Sequence, residues 1–213
     1  MIYYNKSEIK SMDKIYRLNL INSVTGIKPA NLIGTVDNNG NTNLAIFSSV
    51  VHLGSNPAIL GFILRPDIKV RRHSYENILE IGFYTINHVN KRHIKRAHYT
   101  SAKFDKKVSE FDQCNFEPIY LEGFQAPFVR ESQLSLGMKY LESSKIEANG
   151  THVVVGEIQH ILCKEKAIDS KGHIDLSKLG SVGISGLNSY YQLEKIEEFE
   201  YARPENLPDF TNS

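Results

Sequence analysis

Hydrophobic and polar positions along the chain fall mostly into short runs of strand length, divided by glycine, proline and asparagine. The clearest unit is Leu32-Ile-Gly-Thr-Val, Asp37-Asn-Asn-Gly40 and Thr42 to Val51. It predicts strand, turn, strand, because Asn and Gly tolerate the positive φ of tight hairpin turns. After Pro57, Ala58 to Leu64 is a continuous apolar run suited to a strand covered on both faces. Ser74 then precedes Tyr75, Ile78, Leu79 and a closing Gly82, the pattern of a short helix N-capped by Ser74. Phe83 to Val89 reads as another strand, rich in aromatic and β-branched residues. A second short helix is expected over Val108 to Cys114.

In the C-terminal half, Gln133 to Ile146 and Thr151 to Cys163 form a long antiparallel pair around Glu147-Ala-Asn-Gly150. Residues 1–25 read as an N-terminal arm, a short helix or irregular between Ser11 and Asn22. Residues 204–213 read as a tail that packs on a surface or frays. The sum is a mainly β chain, a closed or split β-barrel with a few short helices, expected as one domain over all 213 residues.

Composition narrows the partners. With 41% apolar and 23% charged residues the chain can bury a core. A net charge of +1 provides no global field for nucleic acid or an anionic membrane, so any anion site must be local. Cys114 and Cys163 are far apart and form no CxxC pair, no run approaches membrane-spanning length, and the N-terminus lacks a signal-peptide core. A soluble cytoplasmic protein is expected. Asn149-Gly150-Thr151 then reads as a hairpin turn rather than a glycosylation acceptor.

The chain contains no GxGxxG after a strand, no GxxxxGK[ST], no HExxH and no GxSxG. Gly180-Ser-Val-Gly183-Ile-Ser-Gly186 has the wrong spacing for a dinucleotide fingerprint and reads as a glycine-rich loop. His88, His93 and His98 recur every five residues, which rotates them apart on a helix and alternates them on a strand. No metal site is expected from them, and the neighbouring Lys91, Arg92, Lys95 and Arg96 read as a solvated face, with a site for a nicotinamide cofactor's phosphates as the lesser alternative.

Two segments carry more chemistry. Lys69-Val-Arg-Arg-His-Ser-Tyr-Glu-Asn77 places cations and a hydroxyl at a helix start, where free amides and the helix dipole attract phosphate. A capped helix with flanking surface charge accounts for it equally well. Asn41-Thr-Asn-Leu-Ala-Ile-Phe-Ser-Ser49 combines Asn, Ala and two serines in a strand, leaving room for a flat ring against backbone amides. A partly solvated edge strand is the other reading.

The order of these motifs resembles the flavin reductase-like family, in its flavoredoxin-like branch. Pro29, Thr35, Gly40, then Asn43, Ala45, Ser48 and Ser49, Pro57, the run Ala58 to Leu64, Arg72-His73-Ser74 with Asn77, and Asn87 follow the family's sequence of features. His73 stands where the family usually has Asp, and Lys28 where Arg often precedes the proline; Ser74 keeps the hydroxyl of the usual Thr. The resemblance implies an FMN-binding split barrel that dimerises, with FMN near the interface. It implies that Asn43, Leu44, Ala45, Phe47, Ser48, Ser49 and Val50 line the ring and ribityl chain, with Thr35 among the cofactor positions. Arg72, Ser74 and Asn77 would hold the phosphate, with His73 beside them in an open role. Thr100, Ser101 and Ala102 would face the flavin or substrate, while Gly183 to Tyr191 would complete the pocket or pack on it, packing being the favoured reading. The implied function is hydride transfer from NADH or NADPH to FMN and on to an acceptor, with no catalytic side chain required. The alternatives are an FMN electron carrier without its own nicotinamide reaction and a flavin-free ligand-binding barrel.

Overall fold

The computed structural model describes residues 1–67 and 70–210; Lys69, at the head of the basic stretch, and residues 211–213 of the tail lie outside the described residues. Helices α1 (Lys6–Ser11) and α2 (Lys14–Ser23) are followed by strands β1 (Lys28–Pro29), β2 (Asn31–Val36), β3 (Thr42–Phe47), β4 (Val51–Ser55) and β5 (Ala58–Leu64). Next come α3 (His73–Ile81), β6 (Phe83–His88), α4 (Ile94–Tyr99), α5 (Glu110–Gln113), β7 (Pro118–Ile119) and β8 (Phe128–Val129). The long strands β9 (Leu134–Ile146) and β10 (Thr151–Cys163) and the hairpin β11 (Val182–Ser185) and β12 (Ser189–Gln192) complete the order.

Seven strands form one antiparallel sheet in the order β3-β2-β6-β9-β10-β5-β4. Its edge strands β3 and β4 are consecutive in sequence, so residues 48–50 must draw the two edges of the sheet together. Ser49 fixes that closure: its hydroxyl donates to the Ile63 carbonyl and accepts from the Ile63 amide, both at 3.1 Å. The sheet is therefore a split barrel, filled by Ile33, Phe62, Tyr84, Ile86, Met138 and Val154, with Ile78 of α3 packed against them. The aromatic rings of Phe47, Phe62 and Tyr84 stack edge to face in sequence.

The hairpin turn forms as its residues dictate. Asp37 Oδ1 accepts the amides of Asn39 and Asn41, and Gly40 takes φ +82. Gly82 ends α3 at φ +78. At the other end the helix begins at His73 with Arg72 in the capping position and no side-chain cap, so Ser74 is inside the first turn rather than at the N-cap. Its hydroxyl is engaged elsewhere, by Asn43.

Other elements depart from the pattern reading. The run to Val51 divides into β3 and β4 at the barrel closure. The N-terminal arm is two helices, each with a side-chain cap, from Asn5 and from Asp13. The stretch read as a glycine-rich loop contains β11, which forms a hairpin with β12 and is paired also to β1. The predicted second helix shortens to Glu110–Gln113, capped by Ser109, and α4 arises inside the basic run around His93 and His98. Among the described residues no helix is long and apolar enough to cross a membrane.

Candidate functional site

β3 is an edge strand, and its outward peptide groups need partners that no neighbouring strand provides. Glu110, at the first turn of α5, meets one of them: its Oε2 accepts the Leu44 amide at 2.9 Å. Strand alternation turns the Ile46 peptide the same way, toward open space. Thr42 and Ser109 are joined by a 2.6 Å hydroxyl contact that holds α5 beside the strand. On the other side, Asn43 Nδ2 donates to Ser74 Oγ at 2.9 Å, fixing the start of α3 against the strand.

Between these supports lies a cleft of about 1130 Å³, lined by β3, the Arg71 to Ser74 segment, the 100–106 loop, the end of α2 and the β11–β12 turn. The structure brings together in its walls Asn43, Ala45, Phe47, Ser48, Ser49, Arg72, His73, Ser74, Thr100, Ser101 and Ala102. Those positions come from three separate stretches of sequence.

Four expected site residues are elsewhere. Leu44 is fully buried in the packing between β3 and α5 and reaches the site only through its amide. Val50 packs against the barrel core. Thr35 is buried, and Asn77, 2% exposed, donates to its hydroxyl at 3.2 Å. Asn77 thus faces β2 from beneath α3 instead of the cleft, which removes it from a phosphate contact. Among the described residues its Oδ1 has no hydrogen-bond partner.

The polar groups at the α3 end suit an anion. Arg71 is held by Glu76 through contacts of 2.8 and 2.6 Å, and this pairing keeps the Glu76 carboxyl below its ordinary range. Among the described residues Arg72 has no such partner; its guanidinium donates twice to the Pro66 carbonyl, at 3.1 and 3.0 Å. Burial and then the charge of Arg65 lower its pKa, with Asp67 opposing, so an anion placed there would relieve a repulsion. Accepting from Asn43 leaves the Ser74 proton free to donate. Glu110, 6% exposed, has its carboxyl pushed up by burial, partly offset by the Leu44 amide.

Sequence reasoning missed Arg65, Lys103, Phe104, Lys106 and Glu110 in the lining, and for Gly183 to Tyr191 it favoured packing nearby over completing the pocket. Ile184, Leu187 and Asn188 in fact face the cleft. The pairing of Lys28 with Ile184 across β1 and β11 brings that hairpin to the site, and no local motif signals it. The three histidines do not meet: His88 is on β6 with its pKa pushed down to about 4 by burial, His93 lies against Arg96 and Phe116, and His98 contacts the Tyr190 hydroxyl at 3.1 Å. No cluster suited to a metal ion occurs among the described residues.

This donor set matches what a flavin mononucleotide requires. Small side chains at Ala45, Ser48 and Ser49 flank the outward Ile46 peptide, giving a flat ring access to backbone donor and acceptor, while Arg72 and Ser74 stand one helix start away for a phosphate. The residues present fit the group.

The fold is shared with proteins of known structure. A protein from Shewanella frigidimarina NCIMB 400, assigned as a flavin reductase with a split barrel domain, superposes with a TM-score of 0.91 and 45% identity, over 95% of this chain and 100% of its own. The 2-nitrobenzoate 2-nitroreductase of Pseudomonas fluorescens shares the fold at a TM-score of 0.79 and 19% identity, over 98% and 100% of the two chains. Flavoredoxin of Desulfovibrio vulgaris (Miyazaki F) does so at 0.71 and 21%, over 83% and 92%. No curated protein matches the chain. The model of the flavin reductase like domain matches residues 27–175, which contain β1 to β10 and most of the cleft, and the chain belongs to that family.

Proposed function

We propose that the cleft holds FMN and that the protein is an FMN-dependent oxidoreductase, taking a hydride from NADH or NADPH and passing electrons to an acceptor. The observation that carries this reading is the convergence of the Asn43 to Ser49 strand, the Arg72 to Ser74 helix start and the Thr100 to Ala102 turn on one cleft. Arg72 and Ser74 bind the phosphate, with His73 at the same rim; β3 places its backbone against the ring. The bound flavin supplies the hydride-accepting chemistry. The chain's residues contribute orientation, charge and exclusion of water.

The working unit proposed is a single-domain homodimer in the cytoplasm. α1 and α2 bury none of their residues and expose Ile15, Tyr16, Leu18, Ile21 and Val24, an apolar face that a second copy would cover. Light scattering after size exclusion checks it: a monomeric mass contradicts the dimer without touching the flavin reading.

Anaerobic mixing of the FMN-loaded protein with NADH and with NADPH tests the function. Rapid loss of the yellow colour with either one supports the oxidoreductase. A yellow protein that stays oxidised with both points to an electron carrier, and a protein that takes up no FMN removes the reading.

A further inference from the structure

We propose that the Lys28 end of the cleft is a second ligand site, built for a flat apolar molecule that carries a carboxylate. The inference rests on the proposed FMN reading only in that FMN would occupy the other end.

The two ends are separated along β3. Asn43, bonded to Ser74, marks the α3 end, and Phe47, paired with Asn31, marks the other. Four residues of strand at ~3.4 Å each set them roughly 14 Å apart. Lys28, on β1, stands three residues before Asn31 in the chain and is paired with Ile184 of β11. At about 1130 Å³ the cleft exceeds the common range for one small ligand, about 300 to 1,000 Å³.

Charge is in excess there. Six lysines and arginines line the described cleft against two carboxylates, Asp105 and Glu110, so one phosphate does not exhaust the positive field. Glu76 already engages Arg71 at 2.6 Å and Lys106 at 3.6 Å. Lys28 is in a different situation. Its Nζ donates to the Asn22 carbonyl at 2.9 Å and to the Thr25 hydroxyl at 3.2 Å, both uncharged. An ammonium has three donors, so the end of α2 positions this one and leaves a hydrogen unspent. Contact with a helix C-terminus explains where the amine is held; it does not neutralise it.

The walls beside the amine are mixed. Ile21, Ile184 and Leu187 supply aliphatic surface, and Asn22, Thr25 and Asn188 are polar. One fixed cation beside aliphatic side chains selects an anionic head on an apolar body. A neutral analogue loses the charge contact, and a small hydrophilic anion loses the walls.

Benzoate and its neutral isostere benzamide are suitable probes, titrated by calorimetry into the full-length protein with and without FMN, for wild type, Lys28→Met and Lys28→Arg. The expected result is benzoate binding about tenfold or more tighter than benzamide in wild type. Lys28→Met loses that preference with FMN affinity unchanged, and Lys28→Arg retains it. Benzoate binding no better than benzamide, equally well in Lys28→Met, or not at all overturns the proposal. FMN binding without a benzoate site defeats this inference alone; a Lys28-dependent benzoate site in a protein that takes no FMN defeats the flavin reading alone.

Discussion

Asn43 and Ser74, thirty-one positions apart, are joined by a buried 2.9 Å hydrogen bond from the amide of one to the hydroxyl of the other. This contact aligns an edge strand with the start of α3 and so sets the separation between the two halves of the cleft. Asn43→Ala leaves Ser74 without its donor in a buried setting and should cost about 1 to 3 kcal/mol in urea unfolding. In a double-mutant cycle with Ser74→Ala the two losses should fall short of additivity. Additive losses would mean that the bond does not couple the elements.

Arg71 and Arg72 are neighbours in sequence with opposite commitments. Glu76 occupies the Arg71 fork, whereas Arg72 donates to the Pro66 carbonyl and feels Arg65. Arg72→Ala should weaken FMN about tenfold or more, in line with a lost charge-assisted bond of about 1.5 to 3 kcal/mol. Arg71→Ala should change affinity by about twofold at most, as an exposed pair contributes little. The reverse order in a fluorescence titration would reassign the phosphate site.

His88 gives the fold an acid limit. Burial lowers its pKa from 6.5 to about 4, so as pH falls below 6.5 the unfolded chain takes up a proton that folded His88 resists. Stability is therefore complete above about pH 6.5 and is lost progressively toward pH 4, by up to about 3 kcal/mol. Melting curves across this window should flatten in His88→Gln. An unchanged slope would place the acid sensitivity elsewhere.

Gly34 is required for a close approach. A Cβ there would stand 2.4 Å from the Pro127 carbonyl and 2.6 Å from Thr85 Oγ1. Backbone on one side and a buried hydroxyl on the other cannot both withdraw, so Gly34→Ala should cost about 1 to 3 kcal/mol in chemical denaturation. A neutral result would show that β2 and the segment before β8 are not in contact.

The parts of this fold that were legible in the sequence are those with local causes. Asp37 to Gly40 announces its turn, the run from Thr151 to Cys163 announces a long strand, and Gly82 announces a helix end. Elements stabilised by distant partners were not. The β11–β12 hairpin follows from pairing with β1, more than 150 positions away, and its glycines hide any two-residue period. Ser74 looks like a helix cap because capping is a local rule; Asn43 overrides it through a contact that spacing does not reveal. In the cleft, β3 and the α3 start were readable from their residue types, while Arg65, Glu110 and Lys28 enter through tertiary placement. Asn77 illustrates the converse error: its position in a motif suggested phosphate, and its side chain is turned to Thr35.

The central claim is that the cleft is an FMN site whose phosphate end is Arg72 and Ser74. Titrating wild type and Arg72→Ala with FMN and with riboflavin, followed by flavin fluorescence, tests it most directly, because the two ligands differ only in the phosphate. The account predicts that wild type prefers FMN by about tenfold or more and that Arg72→Ala largely erases the preference. Equal affinity for both ligands in wild type, or no binding of either, would contradict it.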